Sequence, residues 1–395
     1  MTTTEPDLMH STAFVDGIPH EHFRELRDRE GLARGDNHEG DQFWYIVRHA
    51  DVVAASRDTK LFSSYPTTMT RFREVTSKLR DISFIDPPDH TRMRRLALKA
   101  FTPTRIAGLE EPVGRVVDQV WAQALQLGEF DLATEVSLEV PVRALAELIG
   151  IPQADRPYAY EWAKRTVNRS HPDYTQDTQQ TDEMFREMFE YLKDLVGHRR
   201  RTEPGEGLIG VLLSTPVRDQ LLSTEEIAQF TMTMLGGSES TYSALTGSVL
   251  ALMNNPDQLA LLRADPSLIP TAVQEVLRWV TPVTHFARRV TEDTVVNGQE
   301  IKADELVALW FSSANYDERV FTDPLKFDVT RHPNPHITFG GGGPHVCIGR
   351  LLAMMELRHL IQAVVAEPRI QLAGPAVWAH TNFTNSIRSL PVSLH

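Results

Sequence analysis

The chain has 395 residues, 41% hydrophobic content and a formal net charge of -13. That is enough apolar material for a large buried core and the wrong charge sign for a general nucleic-acid binder. The single cysteine, Cys347, excludes an intramolecular disulfide and any multi-cysteine zinc or iron–sulfur centre.

In chain order, the N-terminal stretch MTTTEPDLMHSTAFVDGIPHEHF is acidic and polar. No segment approaches the roughly 18 apolar residues of a membrane span, so a soluble, cytoplasmic protein with no membrane anchor is expected. FWYIVRHADVVAASRD, from Phe43 to Asp58, reads as a strand running into a helix, which places a small β portion within about residues 1–85. From DPPDHTRMRRLALKAFTP onward the apolar spacing is helical, with Pro87, Pro88 and Pro103 as punctuation. The basic run at His198 to Thr202 reads as a solvated helix end. With no repeat, low-complexity tract or flexible linker, one integrated, mainly α domain over residues 1–395 is expected.

A helix of about thirty residues is predicted from Ser223, which forms a capping box with Glu226, to the residue before Pro256. Its centre, Gly236-Gly237-Ser238-Glu239-Ser240-Thr241, is unusual for an apolar helix, since each interior glycine costs about 1 kcal/mol relative to alanine. Two readings stand equally there: a distortion serving a ligand, or close helix–helix contact. Next comes AVQEVLRWVTP, a helix with Glu275 and Arg278 one turn apart, and then strand-like stretches with a turn at Asn297-Gly298.

Cys347 lies in ITFGGGGPHVCIGRLLAMMELRHL. A cysteine hydrolase is disfavoured, because His345 is two residues away on the same loop. A phosphate loop would carry lysine and a hydroxyl residue after the glycines, and this one does not. An inert buried cysteine is the remaining plain reading. Against it, the glycines let backbone amides converge on the sulfur and let a large flat group approach closely.

FGGGGPHVCIG resembles the cysteine-ligand loop of the cytochrome P450 superfamily, with Gly343, His345, Cys347 and Gly349 on the pattern Gly-x-His/Arg-x-Cys-x-Gly. EVLR is similar to the family's Glu-x-x-Arg helix, whose third member would be Arg331. GGSEST resembles its oxygen-binding groove, DPPDHTRMRR the helix that reaches the haem propionates through His90 and Arg94, and ARRVTED the segment of another propionate arginine, Arg288. These matches fall in the family's order from about Phe43 to the C-terminus.

The resemblance implies a mainly α fold with a small β portion and a long central helix over a haem that is sandwiched against the cysteine loop. Cys347 would be the axial ligand of the iron in haem b, with His90, Arg94, Arg288, His345, Gly340 and Gly349 holding the cofactor. Glu239 with Ser240 or Thr241 would serve oxygen activation, and Glu275, Arg278 and Arg331 would form a structural triad. Met232, Leu235, Gly236, Val283, Thr284, His285, Phe286 and Asn385 would line a mainly apolar substrate pocket, joined by the loop from Tyr65 to Ile85, the stretch Trp162 to Tyr174 and residues Thr381 to Ser386. The implied reaction is a monooxygenation (hydroxylation or epoxidation) of a terpenoid, steroid, fatty acyl, polyketide or peptide molecule, free or tethered to a carrier protein.

Dioxygen would be the co-substrate, and two electrons would come from NAD(P)H through a ferredoxin reductase and a ferredoxin. The chain shows neither a dinucleotide fingerprint nor a cysteine cluster of its own. Arg94, Arg95, Lys99, Arg350 and Arg358 are the candidates for the ferredoxin-docking patch, and a monomer is expected. A peroxide-driven haem enzyme and a haem-binding sensor without turnover are the alternatives. Two departures from the family pattern stand out. Phe339 is eight residues before Cys347, one more than usual, and Ser240 follows the acid where threonine is common.

Overall fold

The run QFWYI at Gln42–Ile46 buries most of its aromatic and aliphatic side chains, and it becomes the second strand of a five-stranded sheet. In a computed structural model describing residues 7–70, 81–168, 178–205, 207–215 and 221–395, helix α1 (His20–Asp28) leads into strands β1 (Arg34–Asp36) and β2 (Gln42–Ile46). Helix α2 (His49–Arg57), strand β3 (Phe62–Ser63) and helices α3 (Asp89–Ala100) and α4 (Glu110–Leu125) follow. The body continues through α5 (Thr224–Gly236), α6 (Ser238–Asn254) and α7 (Ile269–Val280), then β4 (His285–Val290), β5 (Leu306–Trp310) and α8 (Arg350–Ala366).

The sheet order is β1-β2-β5-β4-β3. β2 runs parallel to β5 with Phe43 opposite Leu306, and β4 runs antiparallel to β5 with Arg288 opposite Val307. The β portion is therefore not confined to residues 1–85. Its central strands arrive from residues 285–310, the strand-like stretches that follow α7, and Val307 and Leu309 of β5 join Ile46 of β2 in one apolar cluster. The hairpin 294–301 turns at Asn297 and Gly298 with φ of 48° and 77°, the left-handed pair that a two-residue turn requires.

The predicted thirty-residue helix is divided. The Ser223–Glu226 capping box forms as expected, but the helix breaks at Gly237. There the Gly237 N–H is shared between the Thr233 and Met234 carbonyls, and the Ser238 and Ser240 hydroxyls donate to the Leu235 and Gly237 carbonyls, at 2.7 and 3.0 Å. Side-chain hydroxyls thus take carbonyls that an unbroken helix would pair with amides. α6 packs on α7 and α8, and α8 packs on α4. No helix among the described residues is long and apolar enough to cross a membrane.

Glu275 and Arg278 on α7 are both fully buried, and they pair at 2.8 Å through both guanidinium edges. Arg331 Nε reaches the same carboxylate at 3.1 Å, and Asn334 Nδ2 and the Asp328 N–H complete its partners at 3.0 and 3.1 Å. The two arginines also donate to the carbonyls of Asn315, Thr322, Asp323, Pro324 and Lys326, so one carboxylate organises the segment that leads to the cysteine loop. Glu275→Ala leaves the Arg278 charge buried and unpaired. Breaking a buried pair costs about 3–5 kcal/mol, so this variant should unfold at much lower denaturant than wild type, with Glu275→Gln intermediate.

Candidate active site

Cys347 stands on the loop between β5 and α8, two residues before the α8 N-cap Gly349. Its N–H donates to the Phe339 carbonyl at 2.9 Å, so the extra loop residue is absorbed while the main chain of Phe339 still braces the cysteine. The Phe339 ring packs in the core cluster that includes Leu357 and Leu360 of α8. Gly341, Gly342 and Gly343 of the loop pack closely against the end of α2. A Cβ on Gly341 would meet Ser56 Oγ at 2.8 Å, and Gly342, at φ +101°, has Arg57 Nε at 2.7 Å from its Cβ position. Gly340 (φ +99°) and Gly349 have no such close neighbour, and the nearest atom to a Cβ on Gly349 is Cys347 Sγ, at 4.0 Å.

The thiol is accessible, yet it sits deep in the body. Burial pushes it up, opposed by the N–H groups of Gly349 and Arg350 and by the charges of Arg94 and Arg350. A set of cationic and imidazole groups surrounds it. His90 and Arg94 share one face of α3, the His90 ring lies 4.0 Å from that of His345, and Arg94 donates to the Val346 carbonyl. Arg288 projects from β4. Burial, with His90, Arg288 and Arg94 close by, holds His345 far below the usual imidazole range, and burial and Arg94 lower His90 to about 4.

His90 Nδ1 and Arg288 Nε are buried with no hydrogen-bond partner among the described residues. Orphaned buried polar nitrogens are rare in native folds. Together with Arg94, they match the carboxylate edge of a haem whose iron would face the Cys347 sulfur, so the residues present fit that group. Ser64, whose hydroxyl is 3.2 Å from His345 Nε2, was not legible in the sequence, because nothing local marks a contact across 281 positions.

The Gly237 break carries the acid and hydroxyl groups at the start of α6. Glu239 is 8% exposed, and its Oε1 accepts from Thr384 Oγ1 at 3.3 Å. A hydroxyl chain continues from Thr384 through Ser386 to Ser243, at 3.0 and 2.5 Å. Ser240 spends its proton on the Gly237 carbonyl, whereas the neighbouring Thr241 hydroxyl has no partner among the described residues. The helix break and its half-open Gly236, with no atom within 4 Å of its Cβ position, favour the ligand-serving reading over helix–helix contact.

Four pocket expectations need correction. Thr284 and His285 are fully buried, and their side chains are committed to the fold. Thr284 Oγ1 lies 3.1 Å from the Phe383 carbonyl, while His285 is held between Thr284 and Thr70 at 2.9 and 3.1 Å. Leu235, 2% exposed, packs into the core with Ile227 and Phe230. Asn385 borders a different cavity. Met232, Gly236, Val283 and Phe286 keep accessible surface. Residues 71–80 of the Tyr65–Ile85 loop and 169–174 of the Trp162–Tyr174 stretch lie outside the described residues.

The profile of the cytochrome P450 family matches residues 167–374. Linalool 8-monooxygenase of Pseudomonas putida is 31% identical over 98% of this chain and 98% of its own. Steroid C26-monooxygenase of Mycolicibacterium smegmatis is 33% identical over 97% and 92%. Among solved structures, the Mycobacterium marinum cytochrome P450 CYP268A2 in complex with pseudoionone superposes with a TM-score of 0.90 at 30% identity, covering 100% of this chain and 99% of that one. The fold, the family profile and these relatives, together with the lone thiol and the broken acid–alcohol helix, make the chain a monooxygenase of the cytochrome P450 family.

Proposed function

We propose that the chain hydroxylates a medium-sized, mainly apolar substrate, using dioxygen and two electrons that pass from NAD(P)H through a ferredoxin reductase and a ferredoxin. The carrying observation is the set of groups that one cofactor would need: the accessible Cys347 thiol, the buried His90 and Arg288 nitrogens that lack a hydrogen-bond partner among the described residues, and the Gly237 break with Glu239 next to it. Bound haem supplies dioxygen activation and C–H oxidation.

Cys347 is the residue to hold the iron. Burial pushes the thiol up, and the Gly349 and Arg350 amides and the Arg94 and Arg350 charges work against that push on the side of the thiolate. Arg94, Arg288, His90 and His345 hold the propionates, since charge-assisted bonds to carboxylates offset their burial. Met232, Gly236, Val283 and Phe286 supply apolar contact for the substrate. The relatives named for linalool and for steroids support an apolar carbon skeleton as that substrate.

The test is a reconstituted assay with a ferredoxin, its reductase and NADPH, run beside peroxide alone on a terpenoid and steroid library. Product only with the electron-transfer proteins is expected. Product from peroxide alone would make the chain a peroxygenase, and haem binding with no product in either arm would make it a sensor.

For the electron donor, Arg95, Lys99 and Arg350 are exposed and have no ion-pair partner among the described residues. Arg358 leaves the candidate patch, because it is bound to the Glu110 carboxylate at 2.5 and 2.6 Å, and Arg94 turns inward to the Val346 carbonyl. The three free cations sit on α3 and at the first residue of α8, beside the thiol, on a chain of net charge -13. Reversing them to glutamate should slow reduction by an acidic ferredoxin by about tenfold or more at low salt. The difference should shrink as salt rises.

A further inference from the structure

A cavity of about 210 Å³ lies where the C-terminal ends of α6 and α7 meet the start of α1 and residues 378–387. None of its lining residues belongs to the cysteine loop, to α3 or to the Gly236–Thr241 break. Three of its walls are the rings of Trp279, Tyr316 and Trp378. Trp378 packs over Gly17, whose Cβ position is 3.3 Å from the indole and whose φ is +93°, so a larger residue there would be strained and would press on that wall.

The polar groups are few and specific. The His20 ring lies 4.1 Å from that of Tyr316, and its Nδ1 is sealed off without a partner. A sealed N–H would cost more than a sealed lone pair, so the proton belongs on Nε2, the ring nitrogen that stays reachable and has no partner among the described residues. Burial, with Arg27 and Arg278 nearby, lowers His20 to about 4 and keeps it neutral at pH 7. Asn255 and Asn385 spend their amide nitrogens on the carbonyls of Ala251 and Val280, at 2.8 and 2.5 Å, leaving both side-chain oxygens as acceptors. At the rim stands the exposed carboxylate of Asp16.

We propose that this cavity is a second small-molecule site, separate from the cysteine cleft, for a neutral single-ring aromatic of the phenol type. A dry cavity of about 150 Å³ accepts benzene, so the larger volume here admits one ring with small substituents. A phenolic hydroxyl both accepts, from His20 Nε2–H, and donates, to an asparagine oxygen. The Asp16 charge disfavours carboxylates and phosphates. The site backs onto the acid groove through one extended segment: Thr384 and Ser386 reach Glu239 and Ser243, while the alternate residues Asn385 and Ile387 line the cavity.

The experiment uses haem-loaded protein labelled with 5-fluorotryptophan and titrated with 4-methylphenol. The six tryptophan resonances are assigned by single Trp→Phe changes, and the haem optical spectrum is recorded in parallel. Saturable shifts of the Trp279 and Trp378 signals with an unchanged haem spectrum are expected, with no response to 4-methylbenzoate. His20→Ala should weaken binding about threefold to tenfold, the value of one neutral hydrogen bond. Leu250→Trp, or Asn255→Trp if the first does not fold, should abolish it by filling the cavity. Absence of shifts at Trp279 and Trp378, shifts that appear only together with a haem spectral change, or equal binding of 4-methylbenzoate would overturn the proposal.

Discussion

Cys347→Ala is expected to purify without the far-shifted absorption band that the reduced, carbon monoxide-treated wild-type protein should show. Cys347 is the only thiol in the chain, so no second sulfur can take over. Nothing in the fold requires the side chain for stability, because the loop is braced by the Cys347 N–H to Phe339 bond and by the packing of Gly341 and Gly342 against α2, and alanine preserves both. The variant should therefore fold, lose product formation to background and bind haem weakly through the remaining contacts. His345→Ala and Arg94→Ala should retain the band and lose haem more readily on dilution, since several donors share the propionate edge. A Cys347→Ala protein that kept the band would remove Cys347 as ligand, and the proposed chemistry with it.

How much of this was legible in the sequence depended on whether the deciding contacts were local. The capping box at Ser223, the turn at Asn297-Gly298 and the one-turn pairs His90/Arg94 and Glu275/Arg278 are set by spacing within one element, and spacing is what a sequence displays. The break at Gly237 was legible as an anomaly, but its geometry was not, because it depends on which hydroxyl takes which carbonyl. The close packing of the loop glycines was not legible for a similar reason. Their neighbour is α2, nearly 300 positions away, and no local pattern announces that contact. Thr284, His285 and Asn385 went wrong because a polar residue beside a cleft and one buried behind it look alike until their partners, Phe383, Thr70 and Val280, are placed. The sheet was half legible: β2 and the strand-like stretches after α7 announce themselves, but the parallel pairing of β2 with β5 joins segments about 260 positions apart and has no local signal.

The groove carries the second large effect. Glu239 is nearly closed from solvent, held at Oε1 by Thr384 and joined through Ser386 to Ser243, so it occupies one end of a chain of exchangeable protons. A carboxylate there can take a proton from the chain and release it into the cleft. Glutamine keeps the shape and the bond from Thr384 but cannot do so. Glu239→Gln should therefore lower the rate of product formation by about 10²–10⁴-fold, the usual loss for one positioned proton donor, while substrate binding, read by the change in the haem spectrum, stays near wild type. Ser240 has a different task. Its hydroxyl donates to the Gly237 carbonyl at 3.0 Å, which fixes the hydroxyl at the break with its lone pairs free to accept. Ser240→Ala should leave electron consumption high but divert it to hydrogen peroxide. Thr241, whose hydroxyl has no partner among the described residues, should give partial rescue. The Ser240→Ala, Thr241→Val pair should accordingly lose more product per electron than the two single changes combined, a coupling expected of residues that share one task. Thr384→Val tests the support behind the acid. Thr384 is 3% exposed and its hydroxyl holds the Glu239 carboxyl, so Thr384→Val should lower product formed per electron more than it moves substrate affinity. If Glu239→Gln and the Ser240/Thr241 pair all keep full coupling of electrons to product, Glu239 is not the proton donor, and protons enter the cleft by a route that bypasses α6.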